Sequence, residues 1–138
     1  MHEAMFWDQA GEGRVRCGLC RFGCLIAPGR RGRCGVRENR EGTLFTLVYG
    51  KSVAGNVDPI EKKPLFHFHP GSRSYSIATV GCNFRCLHCQ NADISQWPLE
   101  HAGIPGTDQP PREVVSEARR GGCASIAYTY TEPTVAIE

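Results

Sequence analysis

The chain has 138 residues, of which 41% are hydrophobic and 22% charged, with a formal net charge of +2; this is the make-up of one medium globular domain or two small ones. No apolar run approaches the roughly 18 residues that a spanning helix requires, and the first ten residues lack the basic start and apolar stretch of a secretory signal. No membrane partner is therefore expected, the expected compartment is the cytoplasm, and in that reducing setting the eight cysteines read as metal ligands rather than disulfides.

All cysteines but Cys123 fall in two clusters. The first lies in a cysteine-rich module over 1–41, where Cys17, Cys20, Cys24 and Cys34 are interleaved with Gly18, Gly23, Gly29, Gly32 and Gly35. Few core candidates accompany them, chiefly Val15, Leu19, Phe22, Leu25, Ile26 and Val36. Hydrophobic burial alone is a weak basis for folding such a segment, and a structural metal would add on the order of 10 kcal/mol. The spacing suits a zinc knuckle, an auxiliary iron–sulfur cluster, or thiols that stay reduced and unliganded. Eight arginines lie between Arg14 and Arg40 against one acidic residue, Glu38. They read as a solvated surface around a metal site rather than as a nucleic-acid patch.

A small β and loop segment is expected over 42–72. The run 43–49 is β-branched and aromatic between Gly42 and Gly50 and predicts a strand. A second short strand is expected near 53–57, and Asp58 to Pro64 forms a loop or one turn pinned by two prolines. Leu65 to His69 alternates apolar and polar like a half-buried strand, which would set His67 and His69 on one face. With no third ligand nearby, they read as an ordinary exposed or hydrogen-bonded pair.

A strand is expected over 73–80, ending at Gly81, where the second cluster begins: Cys82, Cys86 and Cys89, spaced CxxxCxxC. Three soft thiolates within eight residues can hold one metal centre and leave a coordination position open. Residues 90–106 read as a loop with at most a short helical turn. A helix should then start near Pro110-Pro111, capped by Thr107 or Asp108, and close at Gly121-Gly122, with Val114, Val115 and Ala118 on its apolar face. A strand over 124–130 would complete a right-handed βαβ unit, and Pro133 would open another helix. Cys123 reads as a small buried residue. The fold class expected is α/β: the N-terminal part of a partial β/α, TIM-like barrel spanning 73–138 and preceded by the cysteine-rich, β-containing module. Residues Cys82 to Glu138 are far fewer than the roughly 200 of a complete barrel, so the chain reads as the start of a longer enzyme.

Gly81-Cys82-Asn83-Phe84-Arg85-Cys86-Leu87-His88-Cys89-Gln90-Asn91 resembles the cluster loop of radical S-adenosylmethionine enzymes. Tyr49-Gly50-Lys51, the stretch from Asp58 to Phe68, Ser76-Ile77 and Tyr128 to Thr134 narrow the resemblance to the radical enzyme of the AmmeMemoRadiSam system, related to pyruvate formate-lyase activating enzymes. The resemblance implies a 4Fe-4S cluster on Cys82, Cys86 and Cys89, with the fourth iron chelated by S-adenosyl-L-methionine, and reductive cleavage of that molecule to a 5′-deoxyadenosyl radical that abstracts hydrogen. It implies an external electron donor of the flavodoxin or ferredoxin type and a small-molecule or protein substrate. His88 would pack near the adenine. Glu132 stands where relatives carry Gly-Gly-Glu-Pro and would meet the methionyl amino group, although Tyr130-Thr131 replace the two glycines; from its place alone it also reads as a carboxylate at a helix start, favoured by the dipole. Asn83, Arg85, Gln90 and Asn91 are candidates to donate to cluster sulfurs, and Lys62 and Lys63 line the mouth of the site or lie in solvent. Two alternatives stay open: an activating enzyme that abstracts hydrogen from a glycine of a partner protein, and a zinc-containing nucleic-acid-binding protein.

Overall fold

The computed structural model describes residues 1–138 as short strands in four small sheets, with little helix. In chain order the strands are β1 (His2–Glu3), β2 (Trp7–Gln9), β3 (Val15–Cys17), β4 (Leu25–Ile26), β5 (Arg37–Arg40), β6 (Thr43–Thr46), β7 (Lys51–Ser52) and β8 (Ala54–Pro59). A 3-10 turn over Ile60–Lys62 precedes β9 (Arg73–Ala78). Two one-turn helices follow, α1 (Ala92–Ser95) and α2 (Trp97–Glu100), then β10 (Thr107–Asp108), α3 (Pro111–Arg120) and β11 (Ser125–Tyr128), and a 3-10 turn over Pro133–Ala136 ends the chain.

The glycines of the cysteine-rich segment break it into two- to four-residue strands that can pair only with near neighbours. β2, β3 and β4 form one antiparallel sheet, while β5 pairs with β6, which also takes β1. Between these sheets Ala4, Val15, Cys17, Ile26 and Leu44 make a small core. Arg37 is buried with them: its guanidinium donates to Met5 O at 2.7 Å and to Cys17 Sγ at 3.0 Å, and it pairs with Glu138. A second core, of Cys34, Val36, Val48, Val80 and Val135 with Ile94 and Trp97 against it, joins the cysteine-rich segment to the second half.

In that half β9 is central, antiparallel to β8 and parallel to β11, with Ser74 opposite Asp58 on one side and Ser125 on the other. Helix α3 connects β9 to β11 and buries Val114 and Ala118 against Tyr75. The expected βαβ unit is thus present, but the expected partial β/α barrel is not. One sheet has one parallel pair, its other edge is the antiparallel strand β8, and no sheet closes. The physical reason is that a crossover from one strand to a parallel one belongs to many α/β arrangements. The strand beside β9 is set instead by the return over residues 60–72, which brings β9 back antiparallel to β8.

Several local expectations also change. The strand foreseen over 43–49 is confined to Thr43–Thr46, and Leu65 to His69 is not a strand at all: it is an exposed turn in which His69 takes a φ of 46°. Thr107 and Asp108 do not cap α3, because they pair with Ser52 and Lys51, and Pro110 stands at the N-cap without a side-chain bond. Val115 faces out, 48% exposed. Cys123 is half-buried against the α3 core rather than fully enclosed.

Candidate functional site

The cysteine loop starts where β9 has ended, at Gly81, whose φ is 93°. A Cβ there would sit 2.5 Å from Val36 Cγ1 and 2.9 Å from Cys34 O. Only glycine lets the loop lie directly on the Cys34 turn of the other cysteine cluster. The Gly81 amide donates to Ile94 O at 3.1 Å, and Arg33 Nε donates to Asn83 O at 3.1 Å. Arg85 clasps the loop from within, donating to Cys82 O at 2.8 Å, to Phe84 O at 2.6 Å and to Arg33 O.

Along this frame the three thiols differ in exposure. Cys82 is buried, Cys89 half-buried and Cys86 exposed. The Phe84 amide donates to Cys82 Sγ at 3.4 Å, and Cys89 Sγ lies 3.5 Å from Ser95 Oγ. Asn83 is buried with its Oδ1 unpartnered. Beyond Cys82 and Asn83 the loop stands in solvent, with Phe84 47% exposed, and His88 is exposed as well. Gln90 is exposed, whereas Asn91 Nδ2 donates to Tyr130 O at 3.0 Å and ties the end of the loop to the end of β11. Glu132 does not reach towards the cysteines. Its Oε1 accepts from the Thr134 amide at 3.3 Å and from the Thr134 hydroxyl, so it caps the turn that follows.

In the N-terminal cluster Cys17 and Cys34 are buried, and Cys20 and Cys24 half-buried. Burial pushes the Cys34 thiol up to about 11; the Val36 backbone bond and Arg37 act against this, and the neighbouring Cys17 and Cys24 thiols add to it. Three of the four thiols thus share one environment. A single zinc would need its sulfurs each about 2.3 Å from one point, and no three His, Cys, Asp or Glu side chains stand at the spacing of ligands to one ion. The donor set is right for a soft metal, but the spacing for a single ion is not reached. The loop of Cys82, Cys86 and Cys89 meets a different requirement. A cubane cluster takes each cysteine on its own iron, so the thiols need not converge on one point, and three thiols with an amide N–H on one of them fit that group in donor chemistry.

A second polar constellation was not assembled from the sequence. Asp58, 6% exposed, accepts from Lys62 Nζ at 2.8 Å, Lys63 Nζ at 2.7 Å, Ser76 Oγ at 2.7 Å and Tyr130 Oη at 3.1 Å. Burial pushes its carboxyl up, but the bonds from Lys62, Lys63, Ser76 and Tyr130 outweigh burial and hold it well below the usual carboxylate range. The Asp58 to Lys62 spacing of four residues is a legible signal. Ser76 and Tyr130, far along the chain, are not.

Among known proteins, an uncharacterized protein of Methanocaldococcus jannaschii is 51% identical over 138 residues, which is 100% of this chain and 41% of that protein. The chain therefore spans about two fifths of the length of the curated relative it matches. No protein-family model matches the chain, and no solved structure matches it. No helix is long and apolar enough to cross a membrane.

Proposed function

We propose that the chain carries the cluster-binding part of a radical S-adenosylmethionine enzyme resembling that of the AmmeMemoRadiSam system. The observation that carries this reading is the loop after β9, in which a buried, an exposed and a half-buried thiol share one short segment anchored by Arg33 and Arg85. Cys82, Cys86 and Cys89 would hold a 4Fe-4S cluster, which supplies the electron for reductive cleavage of S-adenosylmethionine to a 5′-deoxyadenosyl radical. The protein's own part is to fix and tune that loop. The Phe84 amide donates to the Cys82 sulfur and would tune a cluster held there. The arginine clasp holds the backbone on both sides of Asn83, and Ser95 stands beside Cys89.

His88 and Glu132 remain candidates for the adenosyl and methionyl ends. For Glu132, that role requires its carboxylate to leave Thr134. The exposed Cys86 suits an approach by an external electron donor of the flavodoxin or ferredoxin type. Eight free thiols suit a reducing, cytoplasmic setting.

The test is anaerobic reconstitution with iron and sulfide. The protein should bind about four irons at the loop per chain, and Cys86→Ala should abolish the visible absorption that this cluster gives. The protein in its relative's full length should form 5′-deoxyadenosine on reduction. Unchanged absorption in Cys86→Ala would remove the reading.

A further inference from the structure

Lys62, Lys63 and Tyr130, three of the four donors to Asp58, line one side of an open cleft of about 720 Å³ beside β9 and β11. Lys62, Lys63, Ser74 and Ser125 line it, with Leu65 and Phe68 at its apolar side. Ser74 and Ser125 stand opposite each other in the parallel register. Both hydroxyls are enclosed and have no hydrogen-bond partner, and Ser74 as a residue is 1% exposed. Enclosed as they are, these hydroxyls are not offered to the cleft, and a guest there meets the lysine ammoniums instead.

Charge narrows what that guest is. Two ammonium groups meet one carboxylate, so the cluster keeps one unit of positive charge uncompensated. Each ammonium has three N–H donors and gives one to Asp58. The Lys63 side chain is only 12% exposed, so its remaining donors are poorly supplied by bulk water. A monoanion neutralises such a site, whereas a dianion overshoots it. Asp58 is held ionised by its four donors, so this balance holds over the whole range near neutrality.

The backbone supports a built site as well. Tyr130 is held at a φ of 68°, uncommon for a residue with a side chain. Its hydroxyl is fixed on Asp58 and its carbonyl on Asn91. The ring also lies 5.3 Å from Lys63 Nζ. Strain of this kind persists where surrounding contacts hold it, and it clusters at ligand sites.

We propose that this cleft binds a small organic acid, with the carboxylate on Lys62 and Lys63 and the apolar body against Leu65 and Phe68. No cysteine lines the cleft, so its test uses iron-free protein and leaves the cluster reading untouched whichever way it falls.

The probe is 4-fluorophenylacetate, followed by fluorine NMR on the whole chain, with 4-fluorophenylacetamide as its uncharged counterpart. The acid should bind at least tenfold more tightly than the amide. Lys63→Met should weaken the acid at least tenfold and leave the amide unchanged. Lys62→Met, whose side chain is 57% exposed, should weaken the acid by a smaller factor and serves if Lys63→Met fails to fold by circular dichroism. Equal affinity for acid and amide, no loss in a folded lysine variant, or displacement of the acid by inorganic phosphate at lower concentration than by acetate would each overturn the proposal.

Discussion

Asp58 shows how much one buried carboxylate can organise. Its four donors come from the turn after β8, from β9 and from the end of β11, so it joins parts of the chain that are adjacent only in the fold. Asp58→Asn keeps the shape and removes the charge, and should cost about 2 kcal/mol near pH 7, the scale of hydrogen bonds to a charged group. The folded carboxyl titrates below its unfolded value, so its contribution is fully present above about pH 5, shrinks below about pH 4, and is lost as pH falls through the folded value. Denaturant titrations of both proteins between pH 3 and 8 check this. A stability gap that stays constant or widens on acidification would contradict the assignment. The sequence shows why only part of this was foreseen. Lys62 is four residues from Asp58 and legible as a partner, but nothing local to Tyr130 says that its hydroxyl crosses to β8. Glu132 presents the opposite case: its residue type and place suggested a ligand contact, and its carboxylate sits on Thr134, two residues along.

At the scale of elements, the loop of Cys82 to Cys89 and the Cys34 turn are two cysteine clusters that meet at Gly81 and through Arg33 and Arg85. Gly81→Ala would force a Cβ against Val36 and Cys34 O in a left-handed backbone. Both effects act together, and the cost should be about 2 to 3 kcal/mol. The contact also predicts where the damage appears. Cys34, buried beneath the loop, should be alkylated faster in the variant, whereas Cys20, half-buried and not among the close neighbours of Gly81, should react as before. Thiol-labelling rates read by mass spectrometry decide this, and equal acceleration at all cysteines would indicate global loosening instead. Element identity was legible where the pattern is long and punctuated: α3 lies between Pro111 and Gly121, and β9 and β11 bracket it. It failed where the pattern is short. The alternation Leu65-Phe66-His67-Phe68-His69 fits a strand, but no strand pairs with it, and Pro64 and Pro70 flank it. Thr107 and Asp108 have the chemistry of caps, and their pairing with β7 depends on residues more than fifty positions away.

For the whole molecule the open question of partners turns on the arginines between Arg14 and Arg40. The sequence reads them as a solvated surface around a metal site rather than a polyanion-binding face, and in the fold they are largely committed. Arg37 is buried against Glu138, Arg31 and Arg40 share Glu38, and Arg14 pairs with Glu12. Arg33 stacks over Phe22 while holding Asn83. Only Arg16, Arg21, Arg30 and Arg33 lack an acidic partner, so this face can neutralise at most about four phosphates, and log affinity for duplex DNA should fall against log salt with a slope no steeper than about −4. Fluorescence anisotropy with a labelled duplex between 50 and 200 mM salt measures that slope at once. A value near −8 would mean that the pairs open on binding and would restore the nucleic-acid reading of the N-terminal cysteine cluster. A shallow slope leaves the arginines their structural work: Arg37 holds Glu138 on the first core, and Arg33 with Arg85 fixes the thiol loop.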